Sequence, residues 1–282
     1  MITLVDVLQR TTTFFEGRGI PSARLDAQLL LGHVLGLDRV KLYLNFDRPM
    51  SEPELETIRG LVRRRGDREP LAWVLGEKEF YGRDFVVGPG VLVPRPDTET
   101  LVERMKAELA TPAGDEPIYV ADVGSGSGCI GITLALEEPR VRAYAIDASP
   151  EALEYTRRNI EKHGLKDRVA ALHGRDLAVP AARRIDWVVS NPPYIPAAAI
   201  AELAPEVSRH EPKLALDGGA DGLDMYRRLV PAAVKRATVG IAFEVGAGQG
   251  DAVADLLTGA GFPARVYPDL GGVGRVVVGR KA

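Results

Sequence analysis

One cysteine, two tryptophans and four histidines in 282 residues leave this chain short of the groups that disulfide, metal and much acid–base chemistry need. Cys129 alone cannot close an intramolecular disulfide or build a multi-cysteine zinc site, and its place at a helix start suits a small buried thiol better than a nucleophile. No His/Asp/Glu cluster has ligand spacing, so no metal is expected. None of His33, His163, His173 or His210 stands in a context that demands a general base. A long apolar run is also missing, and the N-terminus lacks the charged-then-apolar pattern of a signal peptide. Those two absences point to a cytoplasmic protein without a membrane partner. Charge of one sign is missing too. The net formal charge is −3 and arginine far outnumbers lysine, so no global basic field exists to hold nucleic acid. The run Arg63-Arg64-Arg65 is expected to be a solvated helix face. Internal repeats are absent, and the one low-complexity stretch, Ala197 to Ala199, is too short to interpret.

What the chain does have is enough apolar residue, 45% of the total, for real cores in one large or two ordinary domains. Leu4, Val7 and Leu8 open a helical period that Leu25, Leu29, Leu30 and Val34 resume. Ser51-Glu52-Pro53-Glu54 is a strong helix start, with a capping serine and acids in the first turn. Residues 1–75 therefore predict a small bundle of four or five helices. Residues 76–97 predict a β-hairpin turning at Tyr81-Gly82, then a stiff connector carrying Pro89, Pro94 and Pro96. From residue 98 to 282, strands alternate with helices. The strands fall at Ile118–Val123, Arg142–Asp147, Val169–His173, Ile185–Ser190, Thr238–Glu244, Pro263–Tyr267 and Arg275–Gly279. A glycine turn joins the last two, which should run antiparallel. The predicted class is α/β, a seven-stranded doubly wound, Rossmann-like sheet with ligands at its carboxyl edge.

Two segments at that edge carry chemistry. Ile118 to Val123 reads as a buried strand, and Gly124-Ser125-Gly126-Ser127-Gly128 is the turn that ends it. Alternate glycines permit positive φ and close approach to a ligand, while the helix from Cys129 offers free N–H groups. Asp147 ends the next strand about twenty residues on, where a carboxylate can accept ribose hydroxyls. Gly126-x-Gly128-x-x-Gly131 also fits the dinucleotide fingerprint, a weak signal by itself. Asp122 at the strand end favours a cationic ligand over a pyrophosphate, and no hydride-transfer partner such as Tyr-x-x-x-Lys is evident.

The second segment is Asn191-Pro192-Pro193-Tyr194, directly after the strand Ile185–Ser190. Two prolines stop the strand and prevent a helix from starting, which leaves a stiff loop. The Asn191 side-chain oxygen and a proline carbonyl can each accept one N–H of a flat NH2 group, with Tyr194 stacked beneath. Asn-Pro-Pro runs also serve as ordinary turns.

Taken together, Asp122-Val123-Gly124-Ser125-Gly126-Ser127-Gly128 and Ser190-Asn191-Pro192-Pro193-Tyr194 resemble the amino-methyltransferases of the seven-stranded, class I S-adenosylmethionine-dependent fold. Within them the chain resembles the PrmC/HemK family, the peptide-chain release factor glutamine N5-methyltransferases. The likeness extends over Glu69 to Gly76, Phe80-Tyr81-Gly82 and Leu92 to Glu99. It continues through Glu211 to Leu216, Gly218 to Leu223, Phe243 to Gly246 with Gln249, and Asp269 to Gly272 with Arg275. Asp176-Leu177 departs from the Asp-Trp that many relatives carry, and so removes an indole from any adenine contact there.

The resemblance implies a methyltransferase domain over 98–282, with the 1–75 bundle recognising a class I release factor and the protein acting as a monomer. It implies S-adenosylmethionine as cofactor, S-adenosylhomocysteine as product, and a glutamine in a Gly-Gly-Gln loop as acceptor. It assigns cofactor binding to Gly124, Ser125, Gly126, Ser127, Gly128, Asp147, Asp176, Leu177 and Asn191. Catalysis falls to Asn191, Pro192 and Tyr194, and substrate binding to Asn191, Pro192, Pro193, Tyr194, Arg95 and Glu211. An amide nitrogen is a poor nucleophile, and accepting both its N–H bonds concentrates charge on it. An exocyclic base amine, such as adenine N6, fits the same clamp, and a nucleic-acid methyltransferase is the alternative. That enzyme would need to flip its base and hold phosphates, and no basic recognition domain is present.

Overall fold

The computed structural model describes residues 2–110 and 114–282. The chain divides into two compact units, Met1–Glu77 with Ala204–His210, and Lys78–Leu203 with Glu211–Ala282.

The first unit contains α1 (Leu4–Gly17), α2 (Ala23–Leu35), α3 (Arg39–Leu44), α4 (Glu52–Gly66) and α5 (Leu71–Leu75). Both long capped helices start as their sequences dictate. Thr3 and Asp6 form a capping box on α1, and Ser51 and Glu54 form one on α4. Leu4, Phe15, Leu30, Leu31 and Ile58 are among its buried side chains. The apolar period of α2 is only half a core face. Leu30 packs inward beside Ala27 and Leu31, while Leu25 and Leu29 are exposed.

The arginine run meets expectation at Arg63 and Arg64, which are exposed, and departs from it at Arg65. Arg65 is buried, because its guanidinium donates to Asp26 Oδ2 at 2.7 Å and pairs with Glu206 Oε1 at 2.8 Å. Arg68 holds the second oxygen of Glu206 at 2.7 Å. Those ion pairs explain why a short helix far along the chain packs with this unit rather than with the sheet that the continuous span 98–282 predicts.

The second unit opens with the hairpin β1 (Glu77–Phe80) and β2 (Arg83–Val86), turning at Tyr81 and Gly82, whose φ values are 54° and 70°. It continues with α6 (Glu99–Leu109), β3 (Ile118–Val123), α7 (Cys129–Glu137), β4 (Val141–Asp147), α8 (Pro150–Lys162), β5 (Val169–His173) and β6 (Ile185–Ser190). Then come α9 (Pro205–His210, the part of the first unit noted above), α10 (Asp224–Arg236), β7 (Ala237–Glu244), α11 (Gly250–Gly259), β8 (Ala264–Pro268) and β9 (Gly274–Arg280).

The seven strands lie in the order β5-β4-β3-β6-β7-β9-β8. Pairing is parallel from β5 to β7 and antiparallel at β7–β9 and β8–β9. Alternate residues feed two cores, as the two-residue strand period requires. Val120, Trp187, Val189, Val276 and Val278 pack with α6, α7 and the end of α8. Ala121, Val123, Val188, Phe243 and Val277 pack on the other face with α10 and α11. Strand order reverses about β3, so β3 and β6 diverge in their connections at the carboxyl edge, where such sheets open a crevice.

Candidate active site

A cavity of about 690 Å³ occupies that crevice. The glycine turn forms one wall. Gly124, Gly126 and Gly128 have φ of 71°, 56° and 82°, all in the left-handed region. A Cβ added to Gly124 would meet nothing within 4 Å, and one on Gly126 only Val91 Cγ2 at 3.7 Å. The bare backbone therefore faces open space that a ligand can fill.

Three side-chain contacts hold the turn in this shape, besides its backbone bonds to Ile146 and Ser125. The Gly126 N–H donates to Asp147 Oδ2 at 2.8 Å, Thr156 Oγ1 donates to the Gly126 carbonyl at 2.8 Å, and Asn159 Nδ2 donates to the Ser127 carbonyl at 2.9 Å. Ser125 and Ser127 line the cavity with buried hydroxyls that lack a hydrogen-bond partner. Unpaired polar groups are costly when buried, so these hydroxyls suit a polar ligand.

Asp147 lies on the cavity wall. Burial raises its pKa, while the N–H groups of Ser149 and Gly126 pull it back. Asp176 also lines the wall, with φ of 54° and Arg228 Nε bonded to its Oδ1 at 2.6 Å. Leu177 stands apart from its expected place. It is not on the wall, and its side chain packs on the β-sheet core shared with α10.

Asp122 also departs from expectation. Its side chain is fully buried and accepts the Gly131 N–H at 2.9 Å instead of meeting a ligand. Burial pushes its carboxyl up to about 7. The third glycine of the fingerprint is there for packing, since a Cβ on Gly131 would crowd Asp122 Oδ2 at 3.1 Å.

Asn191 and Pro193 line the opposite side. Asn191 Nδ2 donates to Thr98 Oγ1 at 3.0 Å. Its nitrogen is thus committed to the protein, and its oxygen is the end left to accept. Pro192 is buried and does not reach the wall. Tyr194 lies behind the wall, its hydroxyl 3.4 Å from Glu244 Oε1. Burial, with the Glu244 charge, pushes that phenol up to about 12.

Gln249 staples this loop to the end of β7. Its Oε1 accepts the Gly246 N–H at 3.0 Å and its Nε2 donates to the Tyr194 carbonyl at 2.9 Å. Arg95, on the wall, pairs with the buried Glu211 at 2.6 Å. Glu211 itself is not on the wall. Cys129 touches the cavity, but burial pushes its thiol up to about 12, so no thiolate forms near neutral pH. Among the described residues no group of three His, Cys, Asp or Glu side chains could hold a metal, and no helix is long and apolar enough to cross a membrane.

Sequence reasoning missed Thr98, Thr156, Asn159 and Glu244 as parts of this site. Each acts through a contact with a residue distant in sequence, and none sits in a recognisable turn motif.

Comparison with known proteins places these features in context. Residues 6–76 match the PrmC N-terminal domain, and residues 96–210 match the methyltransferase small domain. A release factor glutamine methyltransferase of Geobacter sulfurreducens is 44% identical over 281 residues, covering 99% of this chain and 96% of that protein. One from Moorella thermoacetica is 40% identical, covering 96% of each chain. Among solved structures, the human METTL16 N-terminal domain in complex with SAH superposes with a TM-score of 0.52 at 15% identity, covering 81% of this chain and 82% of that one. A methyltransferase from Pyrococcus furiosus gives 0.52 at 16%, covering 73% and 92%. Likeness at such identities carries the fold alone.

Proposed function

Because this chain belongs to the family of release factor glutamine methyltransferases, we propose that its cavity methylates the side-chain amide nitrogen, N5, of the glutamine in a release factor's Gly-Gly-Gln loop, and that Asn191 holds that amide. The protein is an S-adenosylmethionine-dependent methyltransferase, and release factors are its substrates. We further assign it to the cytoplasm as a monomer, with the N-terminal bundle as the surface that recognises the release factor.

S-adenosylmethionine supplies an electrophilic methyl group carried on a sulfonium. The open backbone of Gly124 and Gly126 and the unpartnered hydroxyls of Ser125 and Ser127 suit its amino-acid part. Asp147 is the acceptor for its ribose hydroxyls, through lone pairs left after its Oδ2 accepts the Gly126 N–H and its Oδ1 the Ser149 N–H.

The remaining chemistry falls to the acceptor clamp. The Asn191 oxygen accepts one N–H bond of the incoming amide and a carbonyl of the Pro192-Pro193 turn the other, Pro193 being the proline on the cavity wall, and Tyr194 supports the loop from behind. Those bonds draw the nitrogen lone pair toward the methyl axis. As the nitrogen becomes positive, the same acceptors bind it more tightly, so they favour the transition state over the ground state. The proton released from the alkylated nitrogen passes to water, and no general base is required.

The observation that carries this reading is the Asn191 carboxamide at the cavity wall, with its nitrogen anchored on Thr98 and its oxygen left to accept. The test is incubation with methyl-labelled S-adenosylmethionine and three acceptors: a class I release factor, its Gln-to-Ala variant, and duplex DNA. Label should enter only the unaltered release factor. Label in DNA would favour an adenine N6 methyltransferase.

A further inference from the structure

Glu244 ends β7, directly beside the end of β6 that carries Asn191, since Ser190 pairs with Phe243. Its side chain is wholly buried, yet Oε2 has no hydrogen-bond partner. A buried carboxyl so placed is expensive, and the methyl-transfer scheme above makes no use of it. Its backbone is pinned as well, because Tyr226 Oη donates to the Glu244 carbonyl at 2.7 Å.

We propose that Glu244 is a positioning residue for methyl transfer, setting through the Thr98 hydroxyl which end of the Asn191 carboxamide faces the cavity. This inference rests on the methyl-transfer reading above. Thr98 Oγ1 accepts from Asn191 Nδ2, and a hydroxyl has one proton of its own to place. The buried Glu244 carboxyl, whose Oε2 lacks a hydrogen-bond partner and whose charged form the Thr98 hydroxyl favours, is the acceptor the proposal gives it.

An ionised carboxylate can only accept, so the chain runs one way, from Asn191 to Thr98 to Glu244. Asn191 then presents oxygen to the substrate. A protonated Glu244 gains a donor and removes that constraint. Thr98 can then turn its proton to Asn191, and the carboxamide can reverse and present NH2 to the substrate's own NH2. Two donors facing each other cannot hold the acceptor amide.

The charges facing Glu244 come from several elements. Asp97 and Thr98 lie in the turn before α6, Tyr194 in the loop after β6, and Arg275 on β9. Arg275 is shared between Asp97 and Asp269, at 3.3 Å from each, and so neutralises Glu244 only in part. Burial pushes the Glu244 carboxyl up to about 7, against the pull of Thr98, Arg275 and Tyr194. The switch in donor direction therefore falls within the working range of a cytosolic enzyme.

The experiment uses the intact chain and a release factor, with kcat and KM measured from pH 6 to 9 and cofactor Kd measured by calorimetry. Thr98→Val, which keeps shape and deletes the hydroxyl, should lower kcat roughly 10–100-fold while KM and cofactor Kd stay within about threefold. Thr98→Ser restores the relay and should return kcat to within about threefold of wild type. The wild type should show an acid limb near pH 7, and Glu244→Gln should lower kcat at pH 8 and abolish that limb.

The proposal is overturned if Thr98→Val turns over at the wild-type rate, if Thr98→Ser is as slow as Thr98→Val, or if Glu244→Gln keeps the acid limb. A wild type that fails to methylate the release factor would overturn the methyl-transfer reading itself. That result is distinct from an active wild type with indifferent variants.

Discussion

Asp147 Oδ2 accepts the Gly126 N–H at 2.8 Å, so the carboxylate at the end of β4 shapes the glycine turn at the end of β3 before any ligand arrives. Two roles thus meet in one side chain, and they can be separated. Asp147→Ala should weaken S-adenosylmethionine binding by about 1–3 kcal/mol, the cost of losing charge-assisted hydrogen bonds. Asp147→Asn keeps an acceptor for Gly126 and should lose less. Calorimetric dissociation constants equal to wild type in both variants would remove Asp147 from the site.

Asp122 and Glu244 make an opposite demand on stability. Burial raises both carboxyls to about 7, so the folded chain holds protons that the unfolded chain releases near 4. Their contribution is present at low pH and lost as pH rises from about 4 through 7. Asp122→Asn and Glu244→Gln should each raise Tm relative to wild type at pH 8, by a few degrees on the order expected for this chain length. The advantage should shrink toward pH 4. Thermal melts showing the gain largest at pH 4 would reverse the sign of this account.

Leu25, Leu29, Tyr43 and Leu44 are exposed large apolar residues of the N-terminal unit, on α2 and α3. If this unit recognises the release factor, Leu25→Glu with Leu44→Glu should raise KM for the intact factor at least about fivefold, or about 1 kcal/mol of binding. Cofactor affinity and kcat should hold. Unchanged KM would make the bundle a stabilising unit only.

Arg65 and Asp26 form the buried ion pair of that unit, with side chains only 5% and 6% exposed. Removing one partner strands the other charge. Arg65→Ala should therefore cost about 3–5 kcal/mol, read from denaturant unfolding of the intact chain. A loss below about 1 kcal/mol would mean that the pair is solvated after all.

The elements legible in the sequence were those whose cause is local. Strand limits at Val169–His173 and Ile185–Ser190 follow from β-type runs bounded by turn residues, and the Ser51–Glu54 box from capping chemistry. Asn191 announced itself because two prolines isolate it. What stayed hidden depends on the third dimension. Leu25 and Leu29 share a helical period with Leu30 yet face solvent, because periodicity reports spacing and not what lies opposite. Asp122 looks like a ligand contact until the Gly131 N–H is found beside it. Arg65 could not be assigned to the interior without Asp26 and Glu206, which lie 39 and 141 positions away in the chain. Thr98 reads as a helix start, and only the fold brings it to Asn191.

The central claim is that the Asn191 oxygen holds and polarises the acceptor amide, and single-turnover methylation by Asn191→Ala tests it most directly. With release factor and labelled S-adenosylmethionine saturating, the account predicts a rate lower by roughly 10²–10³. Cofactor affinity should fall by less than about tenfold, or 1.4 kcal/mol. Asn191→Asp, which keeps an acceptor of nearly the same shape, should retain part of the activity. An Asn191→Ala protein that methylates the release factor at near the wild-type rate would contradict the account.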